Sequence, residues 1–226
     1  MRPDPAAVSA RAAEGHARPL WPLVVREPLG EWELRTDQAP VGRLVKRANS
    51  CLAMGDPGLP LAAAADVVRR FYRERDRPAM VQVERGSQTE RDLAALGWVT
   101  VPGGDAHFLL APLAEVLGRL GADGDVSVAE DGPRAHAARF VDDAEVGSGR
   151  AALDDGWLAV HTLTVEPSQR RRGHGTALLA GLLRWGAARG ATTAWLHVEV
   201  DNVPALAMYD GLGFTRHHTC RYLRTD

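Results

Sequence analysis

The sequence predicts an α+β protein that is built from two related halves. Short β-like runs alternate with Leu- and Ala-rich helical patterns, which is typical of a fold that mixes strands and helices. Each half shows the same order: a strand, a loop, a helix, a strand, a second helix, a Leu-Gly-aromatic turn and a final strand. Gly97 and Gly213 lie 116 residues apart, and this spacing superimposes the turns at 96–98 and 212–214. The shared spacing favours an internal duplication over chance similarity between two αβ segments.

Composition shifts along the chain predict four segments. Residues 1–20 are expected to form a flexible N-terminal arm with at most a short helix near 6–13, and they lack the apolar core of a signal peptide. Residues 21–117 form the first half. The Gly- and Asp-rich stretch 118–132 is interpreted as a linker, and residues 133–226 form the second half.

The overall composition argues against several classes of partner. The net charge is −2, with 45% hydrophobic and 25% charged residues, so there is no global attraction to nucleic acid or anionic membranes. No apolar run approaches the roughly 20 residues of a membrane span. Cys51 and Cys220 are the two cysteines, which favours a reduced, cytoplasmic setting over a disulfide framework. None of the eight histidines shows zinc-ligand spacing, so we expect no metal site.

The stretch VEPSQRRRGHGTALLAGLLRWG, residues 165–186, predicts an anion site. A β-like run stops at Pro167, and a helix follows after three arginines and two glycines. Backbone N–H groups at a helix N-terminus bind anions, glycine lets the anion approach, and arginine adds forked donors. The Walker A pattern is absent and the Rossmann fingerprint lacks its third glycine, which argues against both nucleotide-binding motifs.

The corresponding loop of the first half, residues 55–60, has lost these features. Pro57 and Pro60 lack N–H donors, and Asp56 would repel a phosphate at that helix N-terminus. We therefore expect one cofactor per chain. The first half then either completes the sheet, which we favour, or forms a wall of the acceptor pocket, and Cys51 is expected to be a small buried hydrophobe.

Motif spacing around this loop closely resembles that of the GNAT acetyltransferase superfamily. Val165-Glu-Pro167 precedes Arg170-x-x-Gly173-x-Gly175, in the pattern of the family's acetyl-CoA motif. The family's later run of Asn, Ala, Tyr, Gly and Phe is present with every spacing kept, at Asn202, Ala205, Tyr209, Gly213 and Phe214. The resemblance is strong over 156–216 and reaches 21–112 only through the internal repeat, so the chain is similar to tandem GNAT proteins with a degenerate N-terminal half.

The resemblance implies a GNAT acyltransferase fold, in which helices flank a mixed central β-sheet, with acetyl-CoA as co-substrate. Two strands, at 163–165 and 196–200, would splay apart to admit it. The cofactor-binding residues implied are the strand edge at Leu163, Thr164 and Val165, the backbone N–H groups of Arg170, Arg171, Arg172, Gly173, His174, Gly175 and Thr176, and Asn202 after the second strand. The resemblance also allows a homodimer.

Acetyl transfer to an amine needs a proton donor for the leaving thiolate and a proton acceptor for the amine. Tyr209 matches the family's thiolate-protonating tyrosine, and its alternative role is aromatic packing beside Phe214. Glu199, at the end of the second strand, is our first choice as general base. His161, Glu166 and His197 remain open as alternatives.

The predicted function is direct acetyl transfer from acetyl-CoA to an amine of a small molecule or peptide. The alternative is a non-catalytic acyl-CoA-binding regulatory module, which retention of Tyr209 and Asn202 disfavours. Nucleic-acid binding through the arginines is also disfavoured, because they occupy one loop with no basic, aromatic-rich stripe around it.

Overall fold

The computed structural model describes residues 7–38, 45–121 and 125–225. In these ranges the helices are α1 (Ala10–Gly15), α2 (Leu61–Arg73), α3 (Gln88–Ala95), α4 (Leu113–Arg119), α5 (His174–Ala187) and α6 (Val203–Gly211). The strands are β1 (Val24–Leu29), β2 (Trp32–Asp37), β3 (Cys51–Leu52), β4 (Met80–Glu84), β5 (Val99–Thr100), β6 (Ala106–Pro112), β7 (Ser127–Asp131), β8 (Arg134–Val141), β9 (Ala144–Asp154), β10 (Trp157–Val165), β11 (Thr193–Glu199) and β12 (Thr215–Arg224). Both parallel and antiparallel pairs occur among the strands, as the predicted mixed sheet requires.

The chain divides into two compact units that each take in residues from both halves of the sequence. The unit that we call the C-terminal unit contains, within the described residues, 7–8, 13–20 and 108–217. The N-terminal unit contains 9–12, 21–107 and 218–225. The compact units therefore differ from the segments predicted at 21–117 and 133–226. Of the predicted linker 118–132, the first two residues end α4 and residues 127–131 form β7.

The C-terminal unit orders its strands β6-β11-β10-β9-β8-β7, and α5 packs on β8, β9 and β10. The helix buries an apolar stripe of four leucines that are all fully inaccessible to solvent: Leu178, Leu179, Leu182 and Leu183. Their spacing of one, three and four residues puts them on one helix face. This core fixes the N-terminus of α5 relative to the end of β10.

The N-terminal unit orders its strands β1-β2-β3-β4-β12, and β5 also pairs with β12. The antiparallel register of β4 and β12 sets Gln82 opposite Tyr222. Helix α2 connects the parallel strands β3 and β4, just as α5 connects the parallel strands β10 and β11. Each unit thus contains one parallel strand pair with its connecting helix.

The Leu-Gly-aromatic turns of the two halves have the same local geometry. Gly97 and Gly213 have φ values of 84° and 88°, a region that favours glycine. After each glycine, the backbone N–H of the aromatic residue donates to a carbonyl five residues back: Trp98 to Leu93 at 3.1 Å and Phe214 to Tyr209 at 3.0 Å. The repeated order of elements therefore extends to hydrogen bonds, which supports the predicted duplication.

The prediction of a flexible arm is wrong for residues 13–20. Ala13 and Glu14 are 0% and 2% exposed, respectively, within the C-terminal unit. His16 stacks on Trp157 with ring centroids 4.4 Å apart, and its Nδ1 lies 2.7 Å from a carboxylate oxygen of Asp154. The arm is ordered because its polar side chains find partners far along the chain; residues 1–6 lie outside the described part.

Burial of one thiol and two phenol groups predicts that the free energy of unfolding falls at alkaline pH. Desolvation raises the pKa of Cys51 from 9.0 to about 12 and that of Tyr209 from 10.0 to about 12, and it also raises the pKa of Tyr72. The unfolded chain releases these protons at lower pH than the folded chain. Stability present below about pH 9 is therefore lost progressively as the pH rises towards 12.

Thermal unfolding followed by circular dichroism should show a melting temperature that decreases between pH 8 and pH 11. Cys51→Ala removes one of the three groups, so its decrease should be shallower than that of the wild type. A wild-type melting temperature that stays constant over this range would contradict the expectation.

Candidate active site

Strands β10 and β11 stop pairing part-way along their length. Their parallel register runs from Trp157 opposite Thr193 to Val160 opposite Leu196. Beyond these pairs, β10 continues to Val165 alongside β9, and β11 continues to Glu199. The predicted separation of the two strands therefore lies at the segment that contains Leu163, Thr164 and Val165.

A β-bulge marks the point where β10 leaves β11. The register between β10 and β9 shifts between His161 and Thr164, and Thr162 has a φ of +54°. A bulge bends its strand and redirects nearby backbone groups. Within the described residues, no strand pairs with the β11-facing edge of β10 past Val160, so this edge can accept an extended ligand.

The loop between β10 and α5 presents a row of backbone N–H groups. A 3-10 turn at Pro167–Gln169 is followed by Arg171 with φ +60° and by Gly173, the N-cap of α5, with φ +81°. In the described part of the chain, the N–H groups of residues 171–176 donate to no acceptor, and the first such bond of the helix runs from Ala177 to Gly173. Six successive donors at the start of a 14-residue helix form a cradle for an anion.

The side chains of this loop add positive charge. Arg170, Arg171 and Arg172 are exposed. Arg170 Nε donates to the Val165 carbonyl at 3.2 Å, and Arg172 donates to Gln169 Oε1 at 3.2 Å, so two of the three guanidinium groups are anchored at the loop. The arrangement leaves cationic groups beside the cradle, where they favour phosphate.

The predicted cofactor residues His174 and Asn202 have structural contacts of their own. The buried ring of His174 accepts a hydrogen bond at Nδ1 from Arg139 Nε, 2.8 Å away, so its backbone and not its ring is available to a ligand. The Asn202 side-chain oxygen accepts the Ala205 N–H at 3.3 Å and caps α6. Asn202 thus fixes the start of the helix that carries Tyr209.

Tyr209 lies in the core of the C-terminal unit, where it is 6% exposed. Its ring meets Phe214 edge-on, with centroids 5.5 Å apart. Burial raises the pKa of its hydroxyl to about 12, so the phenol keeps its proton at neutral pH. The packing role and the proton-donor role that the sequence offered as alternatives are therefore compatible.

The four candidate bases differ in how they are held. Glu199 and Glu166 are exposed at the ends of their strands. His161 Nδ1 lies 2.9 Å from Thr162 Oγ1 at the bulge. His197 is the most enclosed, with its side chain 3% exposed and Nε2 2.7 Å from Glu14 Oε1. Sequence reasoning did not consider Glu14, because the two residues are 183 positions apart and the segment was predicted to be a flexible arm.

In the N-terminal unit, two carboxylates accept backbone N–H groups of the loop before α2, one from that loop and one from the turn between β1 and β2. Glu31 Oε2 accepts the Asp56 N–H at 2.7 Å, and Asp56 Oδ1 accepts the Gly58 N–H at 2.8 Å. Acidic side chains thus occupy two backbone donors of this loop and place negative charge before α2, which disfavours an anion there and supports the prediction of a single anion site.

Comparison with known proteins agrees with this geometry. Residues 111–223, half of the chain, match the family described as "Probable histone acetyltransferase Rv0428c C-terminal". The chain belongs to this family. The match confirms the predicted membership of the GNAT superfamily.

The fold is shared over nearly the whole chain with a solved relative. A GCN5-related N-acetyltransferase from Kribbella flavida superposes with a TM-score of 0.74 and 16% identity, covering 97% of this chain and 96% of that one. This likeness confirms the predicted GNAT fold. None of the described helices is long and apolar enough to cross a bilayer.

Similar sequences are known over shorter stretches. Mycothiol acetyltransferase of Amycolatopsis mediterranei is 47% identical over 60 residues, which cover 26% of this chain and 20% of that protein. Probable histone acetyltransferase Rv0428c of Mycobacterium tuberculosis is 37% identical over 84 residues, which cover 34% and 27%. The matched region thus spans about a quarter of the length of these relatives.

Proposed function

We propose that this chain is an acetyl-CoA-dependent N-acetyltransferase that moves an acetyl group directly to an amine of a small molecule or peptide. The observation that carries the proposal is the row of six backbone N–H groups at residues 171–176, which donate to no acceptor within the described residues, beside the edge of β10 that no described strand pairs with past Val160. A pyrophosphate fits the donors, and an extended pantetheine arm fits the strand edge. Relatives named as mycothiol and histone acetyltransferases support an acceptor amine on either a small molecule or a peptide.

The residues of the chain fit the needs of such a ligand. An added side-chain carbon at Gly173 would meet no atom within 4 Å, so the space in front of the cradle is open. The three arginines neutralise phosphate charge, and the donors of residues 171–176 fix its position. Asn202 contributes by capping α6, which holds Tyr209 in place.

The transfer step uses Tyr209 and a general base. The amine attacks the acetyl carbonyl carbon, the new C–N bond forms, and the C–S bond breaks with its electron pair on sulfur. The neutral phenol of Tyr209 gives its proton to the thiolate, and a base takes a proton from the amine. Glu199, His161, Glu166 and His197 are the candidates for this base. Cys51 and Cys220 are both buried and not joined in a disulfide, which suits a reducing compartment such as the cytoplasm.

Calorimetric titration with acetyl-CoA, followed by thiol release in an amine panel, tests the proposal. We expect one acetyl-CoA site per chain in both the wild type and Asp56→Ala. In that variant Glu31 can still accept the backbone N–H of residue 56, so this donor stays occupied. Thiol release with amino acids, polyamines, aminoglycosides or lysine peptides would identify the acceptor class. Binding without thiol release for any acceptor would favour the regulatory module, and more than one site would contradict the prediction of a single anion site.

A further inference from the structure

We propose that Arg139 of β8 positions the cradle before α5 by holding the imidazole of His174, so that acetyl-CoA binding depends on a side chain outside the loop motif. The inference rests on the proposed function and names a positioning residue for its co-substrate. It assigns Arg139 no contact with the ligand and no part in the proton transfers.

The cradle has few side chains with which to hold its own shape. Gly173 and Gly175 flank His174. An added side-chain carbon would meet no atom within 4 Å at Gly173, and at Gly175 it would meet the Val165 side chain at 3.7 Å. Glycine loses more conformational freedom on ordering than any other residue. The imidazole of His174, which is 8% exposed, is therefore the one side chain through which residues 173–175 are packed.

Arg139 is the residue that holds this ring. Its Nε donates to Nδ1 of His174 over 2.8 Å, and its Nη1 donates to the Asp125 carbonyl oxygen over 3.1 Å. Because a guanidinium can only donate, Nδ1 carries a lone pair, and the neutral ring then has its proton on Nε2. The contact thus ties the first residue of α5 to β8 and fixes one tautomer of its imidazole.

The packing of β8 on α5 explains why Arg139 reaches this point. Ala135 and Ala137 belong to the same buried cluster as the leucines of α5. Side chains alternate along a strand, so Arg139 lies on the same face of β8, two residues beyond Ala137. It reaches the start of the helix where the alanines pack against its leucine stripe. A residue on a strand of the sheet holds a site more precisely than a residue on a loop does.

The charge of Arg139 is the second support, because it suits the ligand-bound protein better than the free one. A cation is unfavourable at a helix N-terminus, where the helix dipole is positive. Within the described residues, the half-buried Arg139 forms no ion pair, and both of its acceptors are uncharged. An anion in the cradle compensates this charge. Such a trade of stability for binding is typical of functional sites.

Arg139→Met and His174→Leu test the contact, because each change removes one partner and keeps an apolar side chain in its place. Calorimetric titration with acetyl-CoA should give a Kd about tenfold higher than that of the wild type for either variant, the effect of one hydrogen bond to a charged group. The double variant should also bind about tenfold more weakly, because both residues act through one contact.

Arg134→Met is the matched control. Arg134 lies on the same strand, five residues and about 17 Å before Arg139, and loses the same charge. This distance exceeds the Debye length of about 8 Å at physiological ionic strength. The exposed ion pair of Arg134 with Asp131 contributes little to stability. The Kd of Arg134→Met for acetyl-CoA should therefore stay within about twofold of the wild-type value.

Steady-state thiol release separates positioning from a general loss of structure. In Arg139→Met, the KM for acetyl-CoA should rise about tenfold while kcat stays within about twofold, because Tyr209 and the candidate bases are unchanged. A variant with generally disturbed structure would lose kcat as well. Such a loss, with no increase in KM, would contradict the positioning role.

Nitrogen-15 NMR of the histidine rings gives a readout that needs neither ligand nor turnover. In the free wild type, Nε2 of His174 should carry the proton and Nδ1 should not, and Arg139→Met should shift the Nδ1 resonance. A proton on Nδ1, a wild-type Kd in Arg139→Met, or additive effects in the double variant would overturn the role of Arg139 and leave the cradle intact. Wild-type protein that binds no acetyl-CoA would overturn the proposed function, and this role with it.

Discussion

Replacing Gly173 with isoleucine is expected to weaken acetyl-CoA binding by about 100-fold, the effect of losing one or two charge-assisted hydrogen bonds. Gly173 caps α5 with a φ of +81°, a conformation that a β-branched residue strongly disfavours. The loop must relax, and its N–H groups then turn away from the phosphates. The added side chain also enters the open space where we place the ligand.

The matched control for this substitution lies at the other end of the same helix. Gly190 has a φ of +82° and, like Gly173, no atom within 4 Å of an added side-chain carbon. Gly190→Ile should therefore cause a similar backbone strain and a similar loss of thermal stability, but leave the Kd for acetyl-CoA unchanged. Calorimetry of both variants separates the two effects, and equal affinity of Gly173→Ile and wild type would refute the cradle.

Tyr209→Phe should lower kcat by about 100-fold or more, the contribution of a positioned general acid. The hydroxyl is the only group removed, so the core packing against Phe214 is retained and the Kd for acetyl-CoA should change little. Because burial raises the pKa of Tyr209 to about 12, the phenol stays protonated through the physiological range. The wild-type rate should therefore show no loss from Tyr209 ionisation between pH 7 and about pH 10.

Steady-state thiol release with a saturating amine measures this effect. Tyr222→Phe is a suitable control, because Tyr222 is also buried but belongs to β12 of the N-terminal unit. It should leave kcat unchanged. A Tyr209→Phe variant with the full wild-type kcat would remove Tyr209 as the proton donor and leave it a packing role alone.

The parts of the site that depend on local sequence could be predicted from it. The cradle lies within one loop and one helix, so the residue types at 170–176 determine its shape, and the four-leucine stripe determines the packing of α5. The similarity of the turns at Gly97 and Gly213 could be recognised in the sequence because each turn requires a positive φ. Such features are encoded by residues within a few turns of each other.

Features that depend on distant partners could not be predicted. The contact between Glu14 and His197 joins residues 183 positions apart. The stacking of His16 on Trp157 likewise joins two residues that are distant in the sequence. Read alone, residues 13–20 are small and polar, a composition typical of a mobile terminus. Their order comes from contacts for which one sequence, without knowledge of the fold, provides no signal.

The pairing of Gln82 with Tyr222 has a consequence for how the protein is made on the ribosome. The neighbour of β4 is synthesised 140 residues later, so the nascent N-terminal unit waits about ten seconds at common rates of translation with one strand edge unpaired. An uncovered edge is a template for intermolecular pairing. We therefore expect this long-range closure to slow refolding and to leave the edge of β4 open to chaperones during synthesis.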